Sequence, residues 1–341
     1  MVTLTYSYKS GESQTERHKR KGVKGRTQMK GLELSEKYFE EFGRPMLEKE
    51  LPDILPYLAV GLFGSGSECF GYDDEVSRDH DFEPGFCIFL PDESVIDRRT
   101  AFQLERAYAK LPKEFMGVKR QMLAPVGGMR HGVIRTADFF NDKVGAYDGK
   151  LTMEAWLTLP EHYLAEAVNG KVFFDNYGEV TRIREQLAGY PEDIKRKKLA
   201  GHLLLMAQSG QYNYVRCIRH GEKAAAQLAA VEFVKHAMAV MFLLSDVYQP
   251  YYKWSFRALR ELPDFAIDAE LMEYIITTDN EAHVQEEKYA VIEGIATDVT
   301  EGLVKRKLTT AICTDLEKHA YAVNDGIKDG ELRNMNVLAG V

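Results

Sequence analysis

The chain has 341 residues, 45% hydrophobic and 28% charged, which is room for two globular domains. A formal net charge of −8 argues against a general nucleic-acid-coating or DNA-binding protein, while leaving local basic patches open. Cys69, Cys87, Cys217 and Cys313 show neither zinc spacing nor a disulfide framework, and there is no secretory signal, so a soluble cytoplasmic protein is expected.

Residues 1–30 are polar, glycine-bearing and basic, without apolar periodicity, and are read as a flexible arm. Residues 33–51 have a helical pattern that Pro45 should bend or divide. Residues 58–63 (LAVGLF) form a short apolar run suited to a buried strand. Gly64, Ser65, Gly66 and Ser67 follow it. The glycines let the backbone turn sharply and approach a ligand, and the serines add hydroxyl donors. A short helix starting there would aim free N–H groups at an anion. About a dozen residues later come Asp79 and Asp81, two apart. On a strand both project from one face. Two carboxylates beside a phosphate cradle suit Mg²⁺, which prefers oxygen ligands and shares its shell with substrate phosphates. The acid order and closing Glu of an EF-hand are missing. Residues 86–90 then read as a second strand, 98–110 as a helix, 115–123 and 131–135 as strands, and 137–144 as a helix.

From residue 161 onward helices dominate. Residues 192–208 are amphipathic, with Lys195, Arg196, Lys197 and Lys198 read as a solvated face. Residues 222–248 are long and alanine-rich, with an apolar part too short to span a bilayer. Helices are also expected at 254–261, 267–277 and over most of 281–321. Tyr251 could stack on a base, and Lys253 beside it carries an ammonium near the start of a helix. The fold class is α+β: a mixed-sheet domain over 31–150, then a helical domain over 151–341, with the boundary near 145–160.

The Gly-Ser turn followed by Asp-x-Asp resembles the DNA polymerase beta-type nucleotidyltransferase superfamily. GYDDEVSRDHD and YYKWSFRALRELP are similar to an uncharacterised bacterial branch related to the aminoglycoside-type adenylyltransferases. The resemblance covers the chain from about residue 31. It implies a small mixed sheet bearing the site and a helical domain that closes over a nucleoside triphosphate. It further implies two Mg²⁺ ions on Asp79 and Asp81, and a helical-domain cation, here Lys253, reaching the triphosphate. The reaction implied is transfer of NMP from an NTP to a hydroxyl acceptor (a small molecule, RNA or protein) with release of pyrophosphate. Active relatives carry a third carboxylate on a neighbouring strand, whereas 115–123 and 131–135 contain no acid. Glu154 is the first substitute, followed by Asp138 and Asp175. Two other readings are weighed: a catalytically lapsed nucleotide-binding regulatory module, and an HD-like metal phosphohydrolase built on His80–Asp81.

Overall fold

Residue identity on the two inner strands sorts the core. In the computed structural model, which describes residues 29–74, 83–120 and 131–341, β1 (Ala59–Leu62) and β2 (Cys87–Leu90) are buried at every position. Side chains alternate across a sheet. Val60, Ile88 and Leu90 therefore enter one apolar cluster, while Ala59, Cys87 and Phe89 enter another. A sheet covered on both faces gives the near-continuous apolar strands seen in the sequence.

The first face is covered by α1 (Gly31–Tyr38), α2 (Arg44–Glu50) and α3 (Arg98–Ala109), through Leu34, Tyr38, Leu47, Leu104 and Tyr108. A widened π turn, Phe39–Gly43, joins α1 to α2. It puts Pro45 in the first turn of α2, where a missing N–H is harmless. The second face carries α4 (Thr136–Val144), α5 (Met153–Thr158), α6 (Glu161–Val168) and α7 (Glu179–Gln186), through Phe139, Phe140, Trp156, Leu164 and Ile183.

The sheet has four strands in the order β5-β2-β1-β6. Strand β5 (Gly132–Arg135) runs parallel to β2, and β1 runs antiparallel to both its neighbours. Strand β6 (Lys171–Asp175) corrects the expected division of the chain, because it joins the sheet well beyond residue 160. Its register against β1 shifts between Val60 and Gly61. A Cβ on Gly61 would lie 2.6 Å from the Lys171 carbonyl, so glycine permits that close approach. Within the strand expected over 115–123, the described residues form a hairpin of β3 (Glu114–Phe115) and β4 (Val118–Lys119), and residues 121–123 lie outside the described residues. Its turn residues, Met116 and Gly117, both have positive φ.

The remaining chain is helical, so the molecule is α+β. It comprises α8 (Glu192–Met206), a π segment (Ala207–Tyr214), α9 (Val215–Arg219), α10 (Lys223–Leu244), α11 (Tyr252–Leu259), α12 (Asp268–Thr277), α13 (Gln285–Lys305), α14 (Leu316–Asp325) and α15 (Gly330–Asn334). Leu203, Phe233, Met241, Phe242, Ile292, Val299 and Leu316 sit in its core. Among the described residues α10 is the helix long and apolar enough to cross a membrane; its apolar stretch is longer than the sequence reading allowed, although the helix ends before the expected residue 248. Two thirds of its most apolar window is buried inside the molecule, as in the core helix of a globular bundle.

The basic run at the start of α8 is not a solvated face. Lys197 is fully buried and donates to Asn324 Oδ1 (2.9 Å) and the Met335 carbonyl (2.8 Å). Lys198, also buried, donates to the carbonyls of Leu157 and Gly340, both at 3.0 Å. The long aliphatic stems cross apolar ground, and carbonyls receive the heads.

Candidate functional site

The Gly-Ser turn leaves the end of β1 with φ of +115° at Gly64 and +130° at Gly66, values that L side chains rarely adopt. A Cβ on Gly66 would also lie 2.5 Å from the Glu68 carboxyl. Asn169, just after α6, clamps the turn from the side. Its Oδ1 accepts from Gly64 N–H and its Nδ2 donates to the Gly64 carbonyl, both at 2.8 Å. Arg184 braces the clamp by donating to the Val168 and Asn169 carbonyls (2.8 Å each) and lying 4.5 Å over the Phe63 ring. Burial lowers its pKa to about 10, which still leaves it charged at neutral pH.

Ser65 sits at the apex among charges. Its hydroxyl donates to Glu166 Oε2 (2.7 Å) and accepts from Lys143 Nζ (2.9 Å), and Lys143 also reaches Glu166 (2.8 Å). The lysine and glutamate side chains are only 13% and 11% exposed. Helix α4 supplies Lys143 from its last turn, and α6 supplies Glu166. His162, one turn earlier on α6, feels both charges. Burial lowers its pKa, Glu166 pulls it up and Lys143 pushes it down. The Tyr251 ring lies 5.4 Å from the His162 ring.

Ser67 opens a short 3₁₀ turn, Glu68–Phe70, and the chain then docks on α11. Phe70 meets Trp254 at 5.2 Å between ring centroids. The Arg257 guanidinium lies 4.8 Å over the Tyr72 ring and donates to the Tyr72 carbonyl (2.7 Å). The Tyr72 hydroxyl donates to Glu261 (3.1 Å), and burial with that carboxylate pushes its pKa up to about 12. The two motifs singled out in the sequence are thus in contact. Asp73 is structural: it accepts from Gly31 N–H at the start of α1 (3.0 Å) and pairs with Lys30.

The other expected residues divide. Gly64, Ser65, Gly66 and Ser67 form the turn. Asp79, His80 and Asp81 lie outside the described residues, as does most of the amino-terminal arm. Tyr251 borders the site through His162. Lys253 is exposed, with its ammonium 4.2 Å over the Trp254 ring, and no bond joins it to the turn. Glu154 is exposed in the first turn of α5, and no bond joins it to the turn either. Asp138 is exposed on α4. Asp175 accepts from the Gly178 and Thr181 N–H groups, and its register partner Ala59 is at the opposite end of β1 from the turn. The carboxylate bonded to the turn is Glu166 and the cation is Lys143, neither singled out by sequence. Among the described residues no group of three or more His, Cys, Asp or Glu side chains could hold a metal ion. Glu166 alone does not make a magnesium site.

A family model described as a domain of unknown function, DUF4037, matches residues 156–255. The match includes Glu166, Asn169, Tyr251 and Lys253 but not the Gly-Ser turn. No curated protein and no solved structure matches the chain.

Proposed function

We propose that the protein is a nucleotidyltransferase of the polymerase-beta type, moving NMP from an NTP to a hydroxyl acceptor. The observation that carries this reading is a Gly-Ser turn at a strand end whose serine hydroxyl is bonded to a largely buried ammonium, that of Lys143. A hydroxyl, two backbone-open glycines and a fixed cation make a fitting seat for a polyphosphate. The register with Gly61 opposite Cys87 brings the chain into β2 at the turn end of the sheet. That entry supports assigning Asp79 and Asp81 to the same site. Mg²⁺ bound there would stabilise charge on the acceptor oxygen and on the leaving pyrophosphate.

The described residues do the positioning. Lys143 takes the triphosphate role that the resemblance gave to Lys253, and Glu166 stands in for Glu154 as the third acid. Asn169 and Arg184 hold the turn. Tyr251 flanks the base or the acceptor.

One observation favours the second reading, a nucleotide-binding module without turnover. Glu166 already accepts from both Ser65 and Lys143, which engages its carboxylate and leaves it less available as a metal ligand or base for turnover. Incubation with α-³²P-labelled NTPs, Mg²⁺ and a cell extract as acceptor source decides between them. The transferase reading expects label on an acceptor with pyrophosphate released, and loss of both in Asp79→Asn/Asp81→Asn. Binding of a non-hydrolysable NTP with no label transferred would establish the module instead. Phosphate release without any acceptor would point to a phosphohydrolase.

A further inference from the structure

Beside the turn, a cleft of about 660 Å³ opens between the α5–α6 junction, α8, α10 and the loop that leads into α11. That is the size of a small-molecule site and too small for a folded partner. His162 and Tyr251, which border the Ser65–Lys143–Glu166 group, line it, and so do Lys198, His202 and Lys235. Leu157, Leu159, Pro160, Ala239 and Pro250 add apolar walls.

The charge in this cleft is unusual. Lys198 is buried, yet no carboxylate among the described residues is within ion-pair distance of it, and its ammonium is held by two carbonyls. Burial lowers the Lys198 pKa and the Glu161 charge raises it, so its counter-charge is an unbonded one, and an anion arriving directly beside the ammonium is favoured. Glu161 lines the cleft, and so does Val341 at the carboxyl end of the chain. The Glu161 carboxyl accepts from Gln249 N–H (3.2 Å), and burial raises its pKa, which weakens it as a standing counter-ion.

His202 and His236 face each other across α8 and α10 with Nδ1 atoms 2.9 Å apart. Lys235 and His236 Nε2 both lie near Glu232, at 3.5 and 3.3 Å. This network fixes the protons by chemistry. Glu232 favours a proton on His236 Nε2, so in the neutral pair His236 Nδ1 accepts from His202 Nδ1–H, leaving His202 Nε2 without a proton. Burial together with His236, Lys198 and Lys235 lowers the His202 pKa, as expected where cations converge on one point.

We propose that this cleft binds the acceptor, a small acidic molecule whose carboxylate or phosphate sits between Lys198, Lys235 and His202 while its hydroxyl end passes His162 and Tyr251 toward Ser65. The acceptor role rests on the nucleotidyl-transfer reading; the binding does not. A polycationic acceptor of the aminoglycoside kind is disfavoured by the same lysines. Because His202 Nε2 lacks a proton in the free protein, seating an anion against it takes one up. Glu161, His162, Glu232, His236, Lys198, Lys235, Tyr251, Tyr252 and the carboxyl end at Val341 are the titratable groups around it.

The test is titration calorimetry on the full chain, without nucleotide or metal. The acidic probes are 4-hydroxyphenylacetate and phenyl phosphate, and tyramine is the cationic counterpart. At least one acid should bind, about tenfold or more tighter than tyramine. Its affinity should rise as pH falls from 8 to 6, by up to tenfold per unit, with proton uptake seen in buffers of different ionisation enthalpy. Lys235→Glu, at an exposed position that folding tolerates, should weaken it at least tenfold, and His202→Gln should abolish the pH dependence. The better-bound acid identifies the anionic group. Equal binding of tyramine, binding of neither acid, or an affinity unchanged in Lys235→Glu would overturn the proposal. Since no nucleotide is present, failure here is separate from failure to transfer NMP.

Discussion

The Gly-Ser turn and the neighbouring cleft are both cationic, but they balance charge in opposite ways. At the turn Lys143, Ser65 and Glu166 answer one another within 3 Å, and Asn169 closes the backbone. At the cleft Lys198 is answered by carbonyl dipoles, and His202 is kept neutral. The turn is a closed constellation: a ligand must displace Glu166 or bring a metal that accepts it. The cleft is an open one, with its field already set for an anion. Preorganisation of this second kind favours binding, whereas the first makes occupancy of the turn conditional.

The largest expected effect breaks the closed set. Lys143→Met strands a largely buried carboxylate and should cost about 3 kcal/mol in denaturant unfolding. Adding Glu166→Gln should restore most of that loss. A single-variant cost below about 1 kcal/mol would mean that the three groups do not act as a unit.

The next separates the regions by pH. The folded pKa of His202 lies below its usual value near 6.5, so the unfolded chain takes the proton first. Its contribution is therefore intact above pH 6.5 and is lost as pH falls from there toward the folded value. The slope reaches at most about 1.4 kcal/mol per unit. His202→Gln should flatten that part of the stability profile, whereas Lys143→Met should not.

The smallest effects concern α11. Tyr72→Phe removes a partly buried hydrogen bond to Glu261 and should cost about 1 kcal/mol. Lys253→Ala, at an exposed position over Trp254, should change stability by less than about 0.5 kcal/mol. If it also leaves NTP affinity intact in a filter-binding assay while Lys143→Ala lowers it, the triphosphate cation is Lys143.

Local chemistry made much of this legible beforehand. Apolar runs gave β1 and β2, glycines gave the turn, and periodicity gave α3, α4 and α10. What could not be read depended on partners distant in the chain. Lys143 is one of many lysines in a last helical turn and acquires meaning through Ser65. Glu166 and Asn169 precede a five-residue strand, Lys171–Asp175, that a helix-dominated pattern conceals. Lys197 and Lys198 look like surface charge until carbonyls of residues 157, 335 and 340 arrive to cover them. Glu154 stands among apolar neighbours in the sequence, but Trp156 and Leu157 face the core and leave the acid in water.

The late position of β6 governs how this protein can be made. Leu62 finds its partner only at Lys171, so a nascent chain emerging from the ribosome carries β1 with one flank bare until that stretch has been synthesised. Such a flank is an invitation to clumping, and chaperones are the ordinary guard against it. A truncated version ending near residue 150 would keep the glycine turn in its sequence yet lose both Glu166 and the strand that seals the sheet. Expression trials of the separate halves should therefore be cut after Asp175 rather than before it.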